Sequence, residues 1–162
     1  MAVDMFLKID GVDGESRDAE HKGEIDILAW SWGLTQSGST HLGGGGGAGK
    51  VNVQDVSITK WVDKASPNLM KYCCNGKHFK EALLTVRKAG EKPLEYIKLK
   101  MEDLIISSIS TGGSGGEDRL TENISLNIGK VGFEYQPQKD DGSKDGGAIP
   151  MVWNVKENKE EG

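Results

Sequence analysis

From residue 3 to residue 9, apolar and polar side chains alternate, with Val3, Met5, Leu7 and Ile9 on one side and Asp4 and Lys8 on the other. A period of two marks a strand with one face in a core. A second strand is predicted over residues 24–34. There Trp30 and Trp32, two apart, share a face, and Ser31 points the opposite way. Val51 and Val53 restart the alternation, and Val56 and Ile58 continue it in the other phase, so a bulge or bend is predicted near Gln54 and Asp55. Strand patterns return over residues 79–87, 94–101 and 104–110. Ile124, Leu126 and Ile128 then alternate with Ser125 and Asn127, and Gly129 precedes a change of phase to Val131, Phe133 and Tyr135. Residues 152–155 make a last short strand. One helix is marked: Ser66 as N-cap, Pro67 at the first helical position, a run through Leu69, Met70 and Cys73 to about Asn75, and Gly76 as a left-handed stop.

Many short strands, one helix and no βαβ alternation describe a mainly β chain. The pattern is that of an antiparallel barrel or sandwich with the helix over one end or edge. A length of 162 residues suits one domain, and a domain of that size buries roughly 68–70% of its unfolded surface, so it needs no covalent staple. The domain is expected to span residues 1–155, with a long glycine-rich loop over 38–50 and a solvated tail, KENKEEG, over 156–162.

Charge and composition remove several classes. A net charge of -5 lacks the basic excess of a general nucleic-acid binder. No apolar run approaches the ~18 residues of a membrane span, and the N-terminus has no basic segment of the signal-peptide kind. The expectation is therefore a chain that starts in the cytoplasm. Cys73 and Cys74 are adjacent on the predicted helix, where side chains diverge by about 100°, so they are read as two reduced thiols. His21, His41 and His78 are far apart and at no metal-ligand spacing; no metal and no cofactor are expected.

Motifs that carry chemistry fail on context. Residues 44–50 spell G-x-x-x-x-G-K, but Val51 stands where a P-loop needs Ser or Thr, and a strand pattern follows instead of a helix. Asp141, Ser143, Asp145 and Gly146 resemble the start of a calcium loop, yet Val152 occupies its twelfth position. Asn123-Ile124-Ser125 is a glycosylation sequon, which has meaning only on passage through an oxidising lumen. Glu117 and Asp118 are neighbours beside Arg119 and are better placed for an ion pair or an interface contact than for flanking a substrate. No nucleophile with a base stands out, and no enzymatic activity is expected. Trp30, Trp32, Trp61 and Trp153 read as packing residues before they read as a ligand platform.

Taken in order, EIDILAWSWG (24–33), QSGSTHLGGGGGAGKVNVQD (36–55), DKASPNLM (63–70), GGSGGEDRLTENISLN (112–127), YQPQ (135–138) and VWN (152–154) closely resemble the haemolysin-coregulated protein (Hcp) family, the tube subunits of the bacterial type VI secretion system. The resemblance covers nearly the whole chain. It implies a two-sheet antiparallel β-barrel with one short α-helix, assembled into hexameric rings. These rings stack into a tube that lies inside a contractile sheath beneath a spike protein. The tube is expelled without a signal peptide and carries effectors in its lumen, and no cofactor is involved. Some relatives carry toxin domains after the barrel. The short stretch beyond VWN is expected to belong to a plain tube subunit.

A ring needs one patch to meet a different patch on the next copy, and its inner sheets must be apolar toward the barrel core and polar toward the pore. Trp30-Ser31-Trp32 has that alternation, so Ser31 is expected to face the lumen and contact effectors. Ser39, Thr40, His41, Leu42, Gly43, Gly44, Gly45, Gly46, Gly47 and Lys50 are expected to form a ring-stacking loop. Ordering such a loop costs roughly 1–2 kcal/mol of backbone entropy per residue, so it is expected to order only against a neighbouring ring. Glu117, Asp118 and Arg119 are candidate interface residues. The alternative is a monomeric β-sandwich binding module for a carbohydrate or protein ligand; that reading lacks the need for copies of the chain to meet.

Overall fold

A computed structural model describes residues 3–38 and 49–162. Ten strands and one helix follow in the order β1 (Val3–Ile9), β2 (Ile25–Ser31), β3 (Leu34–Thr35), β4 (Asn52–Val53), β5 (Val56–Trp61), α1 (Ser66–Asn75), β6 (Phe79–Lys88), β7 (Leu94–Thr111), β8 (Thr121–Tyr135), β9 (Ile149–Asn154) and β10 (Lys159–Glu160). Every pairing between these strands is antiparallel. Six strands close on themselves in the order β8-β5-β2-β1-β6-β7, because β7 returns to pair with β8. β9 and β10 extend the sheet beyond β8, and β3 and β4 form a separate ribbon. The expected mainly β barrel with one helix is what the chain forms.

The inward residues of the barrel make one core. Leu7, Leu84 and Leu99 come from three successive strands in register and are fully buried, as are Leu104, Leu126 and Val131. Burying side chains of this size stabilises by about 1.5–3 kcal/mol each. α1 and the residue before it add Leu69 and Ala65, both fully buried, and the helix touches β7. Gly76 closes the helix at φ 64° and ψ 29°, as its position in the sequence predicts. The helix start differs. Ser66 is already helical and Ala65 is the N-cap; the Asp63 carboxylate accepts from the Ala65 N–H at 2.9 Å, which frees the buried Ser66 hydroxyl for another contact.

Several elements depart from the plain alternation. β1 buries Leu7 and Ile9 on the expected face, but Val3 is exposed and Phe6, on the other face, is buried too. The reason is the segment after β1, residues 10–24, which lies over the outside of the barrel and covers Phe6. His21 stacks on the Phe6 ring at a centroid distance of 4.4 Å. The second strand ends at Ser31 rather than Leu34, and residues 34–35 turn away into the ribbon with β4. Residues 94–111 form one strand instead of two. Asp103 at φ 52° marks the irregularity, opposite Gly129 between the pairs Glu102–Lys130 and Leu104–Ile128. A Cβ on Gly129 would meet the Asp103 Cβ at 3.0 Å and the Lys156 Cε at 2.8 Å, so the close approach favours glycine there, at the point where the burial phase of β8 changes. Residues 156–160 are exposed and also turn back: Lys159 and Glu160 pair with Asn154 and Trp153, and Glu161 meets Lys130 at 2.5 Å.

Candidate functional site

The outward side of β2, β5, β8 and β7 is a wall of small neutral side chains. One row across the four strands is Ser31, Ser57, Ser125 and Ser108; the next is Ala29, Thr59, Asn123 and Ser110. Ser31, Ser57, Ser108, Ser110 and Asn123 are exposed. Immediately behind them, with opposite parity, lies the row Trp30, Ile58, Ile124 and Ile109, which packs into the core. The wall ties itself together: the Thr59 hydroxyl donates to Asn123 Oδ1 at 2.7 Å, and Asp55 accepts from Ser107 at 2.7 Å and from the Asn127 amide at 2.8 Å. Asp55, just before β5 and beside these rows, carries a charge that is spent on those two donors.

The barrel's other outward side has a different chemistry. Across β6, β7 and β8, Lys100 lies 3.2 Å from Glu81, and Lys130 lies 3.5 Å from Glu102 and 2.5 Å from Glu161. Exposed pairs of this kind contribute little to stability, but they give that face a solvated, charged character which the serine wall lacks.

The wall also has two open edges. Among the described residues, β1 pairs with β2 only at Asp26 and Ile25, so none of them forms a strand on the edge of residues 27–31 away from β5. Among the same residues, β6 pairs with β7 only from Leu94 to Leu104, and none forms a strand on the edge of residues 105–111 away from β8. Open edges are templates for strand addition by another chain. Here they stand at the two sides of one four-stranded surface.

Two polar clusters hold elements against this barrel. Lys60 and Glu122 are fully buried on the inward side of β5 and β8 and bond to each other. Lys60 Nζ also donates to Asp63 at 2.9 Å and to the Trp61 carbonyl at 2.8 Å, and the Ser66 hydroxyl donates to Glu122 at 2.5 Å, which fixes the start of α1 to the strands. On the outside, Arg87 grips Asp18 through both nitrogens and reaches Asp4 at 3.2 Å. Asp18 is held well below the usual carboxylate range by that guanidinium and by the Glu20 N–H. His21, between Glu24 and Glu95, completes the strap. Glu20, His21 and Glu95 bring ligand-type atoms within 4.8 Å of one another, but both ring nitrogens already face carboxylate oxygens.

Residues 6–135 match the family described as "Type VI secretion system effector, Hcp". The chain is 61% identical over 159 residues to the Hcp1 protein of Pseudomonas aeruginosa, covering 98% of each. This chain belongs to the Hcp family. Among solved structures it is similar to Hcp1 of Salmonella typhimurium, with a TM-score of 0.82 and 43% identity over 99% of this chain and all of that one. It is also similar to a type six secretion system protein, with a TM-score of 0.92 and 32% identity over 99% of this chain and all of that one. The Hcp family supplies the tube subunit of the type VI secretion system, as the motif order implied, and its members assemble as hexamers.

Within the Hcp barrel, Ser31 stands exposed on the wall with both tryptophans on the core side, as its alternation predicts. The signal missed in the sequence was the repetition of serine at Ser57, Ser108 and Ser125, which becomes a row only once the register is known. Ser39 to Gly47 of the expected stacking loop lie outside the described residues; Lys50 is exposed. Glu117 and Asp118 are exposed, and the Arg119 guanidinium lies over the Trp61 ring at 4.4 Å rather than at ion-pair distance from either acid. Trp30, Trp32 and Trp153 pack on the core, in line with the packing reading. Cys73 is half-buried and Cys74 exposed, both free. No helix among the described residues is long and apolar enough to cross a membrane.

Proposed function

We propose that six copies join edge to edge, β2 of one against β7 of the next, so that the serine and amide wall faces an open pore. The observation that carries this is the pair of open edges at the two sides of one neutral four-stranded surface. Edges that differ are what a heterologous, ring-closing contact needs. Six copies contribute twenty-four strands, and barrels of roughly 16–18 strands already leave an aqueous channel, so the pore is wide.

A lining of hydroxyls and amides with no free charge suits passage of varied effectors. It offers many weak hydrogen bonds, each worth about 0.5–1.5 kcal/mol net, and no fixed charge to trap or repel a cargo. Rings stack through the loop over residues 38–50 and are expelled from the cytoplasm as a tube within a contractile sheath beneath a spike. Glu117, Asp118 and Arg119 lie at a subunit contact. The chain acts as one structural domain with no catalytic role and no cofactor.

Light scattering on purified protein tests the assembly. A mass of six chains, with annular particles in electron micrographs, supports it. A strictly monomeric chain at high concentration overturns it in favour of a monomeric binding module.

A further inference from the structure

β5 and β9 occupy the same edge of β8: β5 pairs with residues 121–126 and β9 with residues 130–135, while β7 runs along the whole opposite edge. β9 therefore projects on the same side of β8 as β2 and its open edge. Unlike β5, it is not drawn into the closed barrel. Its sequence, IPMVWN, has no charge in a chain that is 28% charged. Ile149 is 60% exposed, and Met151 and Tyr135 are 37% and 43% exposed. Ile149 pairs directly with Tyr135 and shares a face with Met151, so the three form one apolar surface. Among the described residues, β10 covers the outer edge only at Trp153 and Asn154, and no strand lies along residues 149–151 there. Sheets usually guard such an edge with lysines or other charges; this one carries only Pro150.

We infer that this β9 flange seats on a second copy of the chain, the same copy whose β7 edge meets β2. The inference rests on the ring reading above. The family assembles as hexamers, so each chain has a neighbour on its β2 side, and the flange points toward that neighbour. Leu28, 39% exposed at the bulge of β2, stands level with residues 122–123 of β8 and marks the β2 part of the same seam, at the other end of β8 from the flange. The flange widens the seam beyond the few hydrogen bonds that β2 alone can offer.

The test uses Ile149→Asp with Met151→Asp in the full chain, with circular dichroism and melting confirming an intact fold. The milder Ile149→Ser serves if the pair does not fold. At a concentration where the wild type is hexameric, the variant should be smaller than a hexamer, with assembly displaced at least tenfold in concentration. Mixing then tests sidedness. Ser107→Pro breaks the β7 edge and also loses the Ser107 hydroxyl bond to Asp55, so its fold is checked in the same way. The flange variant keeps its β7 edge, so with Ser107→Pro it should give dimers that grow no further. With Leu28→Asp, damaged on the same side as itself, it should give monomers. Persistent hexamers in the flange variant, hexamers that merely fail to stack, or pairing with Leu28→Asp but not with Ser107→Pro would each overturn the inference while leaving the ring intact. A monomeric wild type overturns the ring itself, and this contact with it.

Discussion

Nε2 of His21 lies 2.6 Å from Oε1 of Glu95, 74 positions further along the chain. Nδ1 lies 2.8 Å from Glu24, so one imidazole pins the strap over residues 10–24 to the long strand β7. Burial lowers the proton affinity of this ring, but the two carboxylates outweigh it and hold the pKa above the ordinary histidine value of 6.5. A raised value in the folded state means stabilisation fully present below about pH 6.5 and lost as pH rises through the folded-state value. Exchange protection of the Gly14, Ser16 and Gly23 amides, whose N–H groups close the strap, should therefore fall as pH rises above about 6.5, by more than intrinsic exchange explains. In His21→Gln that excess should vanish; an unchanged profile would show that another group governs the strap.

Lys60 and Glu122 should behave as a buried pair. Lys60→Met leaves Glu122 buried and uncompensated, at a cost of about 3–5 kcal/mol in urea unfolding. Adding Glu122→Leu should recover most of that loss, since the remaining groups, Asp63 and Ser66, retain each other through the Asp63 N–H at 3.0 Å. A double variant no more stable than the single would mean that the network, rather than the ion pair, holds α1 in place.

Gly129 and Gly132 sit three residues apart in β8 and should respond differently to alanine. At Gly129 the new methyl collides with Asp103 and Lys156, for a loss of about 1–3 kcal/mol. At Gly132 the nearest atoms are 3.8 Å away, an ordinary contact, so the change should stay within about 0.5 kcal/mol. Thermal melts of the two variants decide it; equal losses would remove the close approach as the reason for the glycine.

Ser31→Gln places a larger neutral group on the wall without disturbing Trp30 or Trp32 behind it. Rings should form as in the wild type, while co-purification of effectors from the native host should change. Loss of rings with normal folding would place Ser31 at a subunit contact rather than on the pore lining.

The alternation from Met5 to Ile9 and from Ile124 to Ile128, and the stop of the helix at Gly76, were legible in the sequence because each is a local pattern with a local cause; the helix start was read one residue late, because Ala65 and not Ser66 is the N-cap. Phe6 was not: its burial depends on a strap whose anchors, Asp18 and His21, find Arg87 and Glu95 about seventy residues away. The tail shows a related limit of local reading: Lys159 and Glu160 are exposed charges, while their backbone also pairs with β9 regardless of what the side chains do. Ser31 was placed by alternation, whereas the row it joins, and the open edges that flank the row, are properties of register and closure that no single segment encodes.

In the proposed ring, the neutral face of β2, β5, β8 and β7 lines the pore. A cryo-electron-microscopy map of the purified assembly that resolves strands tests it directly. The expected result is a six-fold ring with Ser57 and Asn123 facing the axis and the Lys100 and Lys130 face turned outward. A ring with the lysine face toward the axis, or no ring at all, would contradict it.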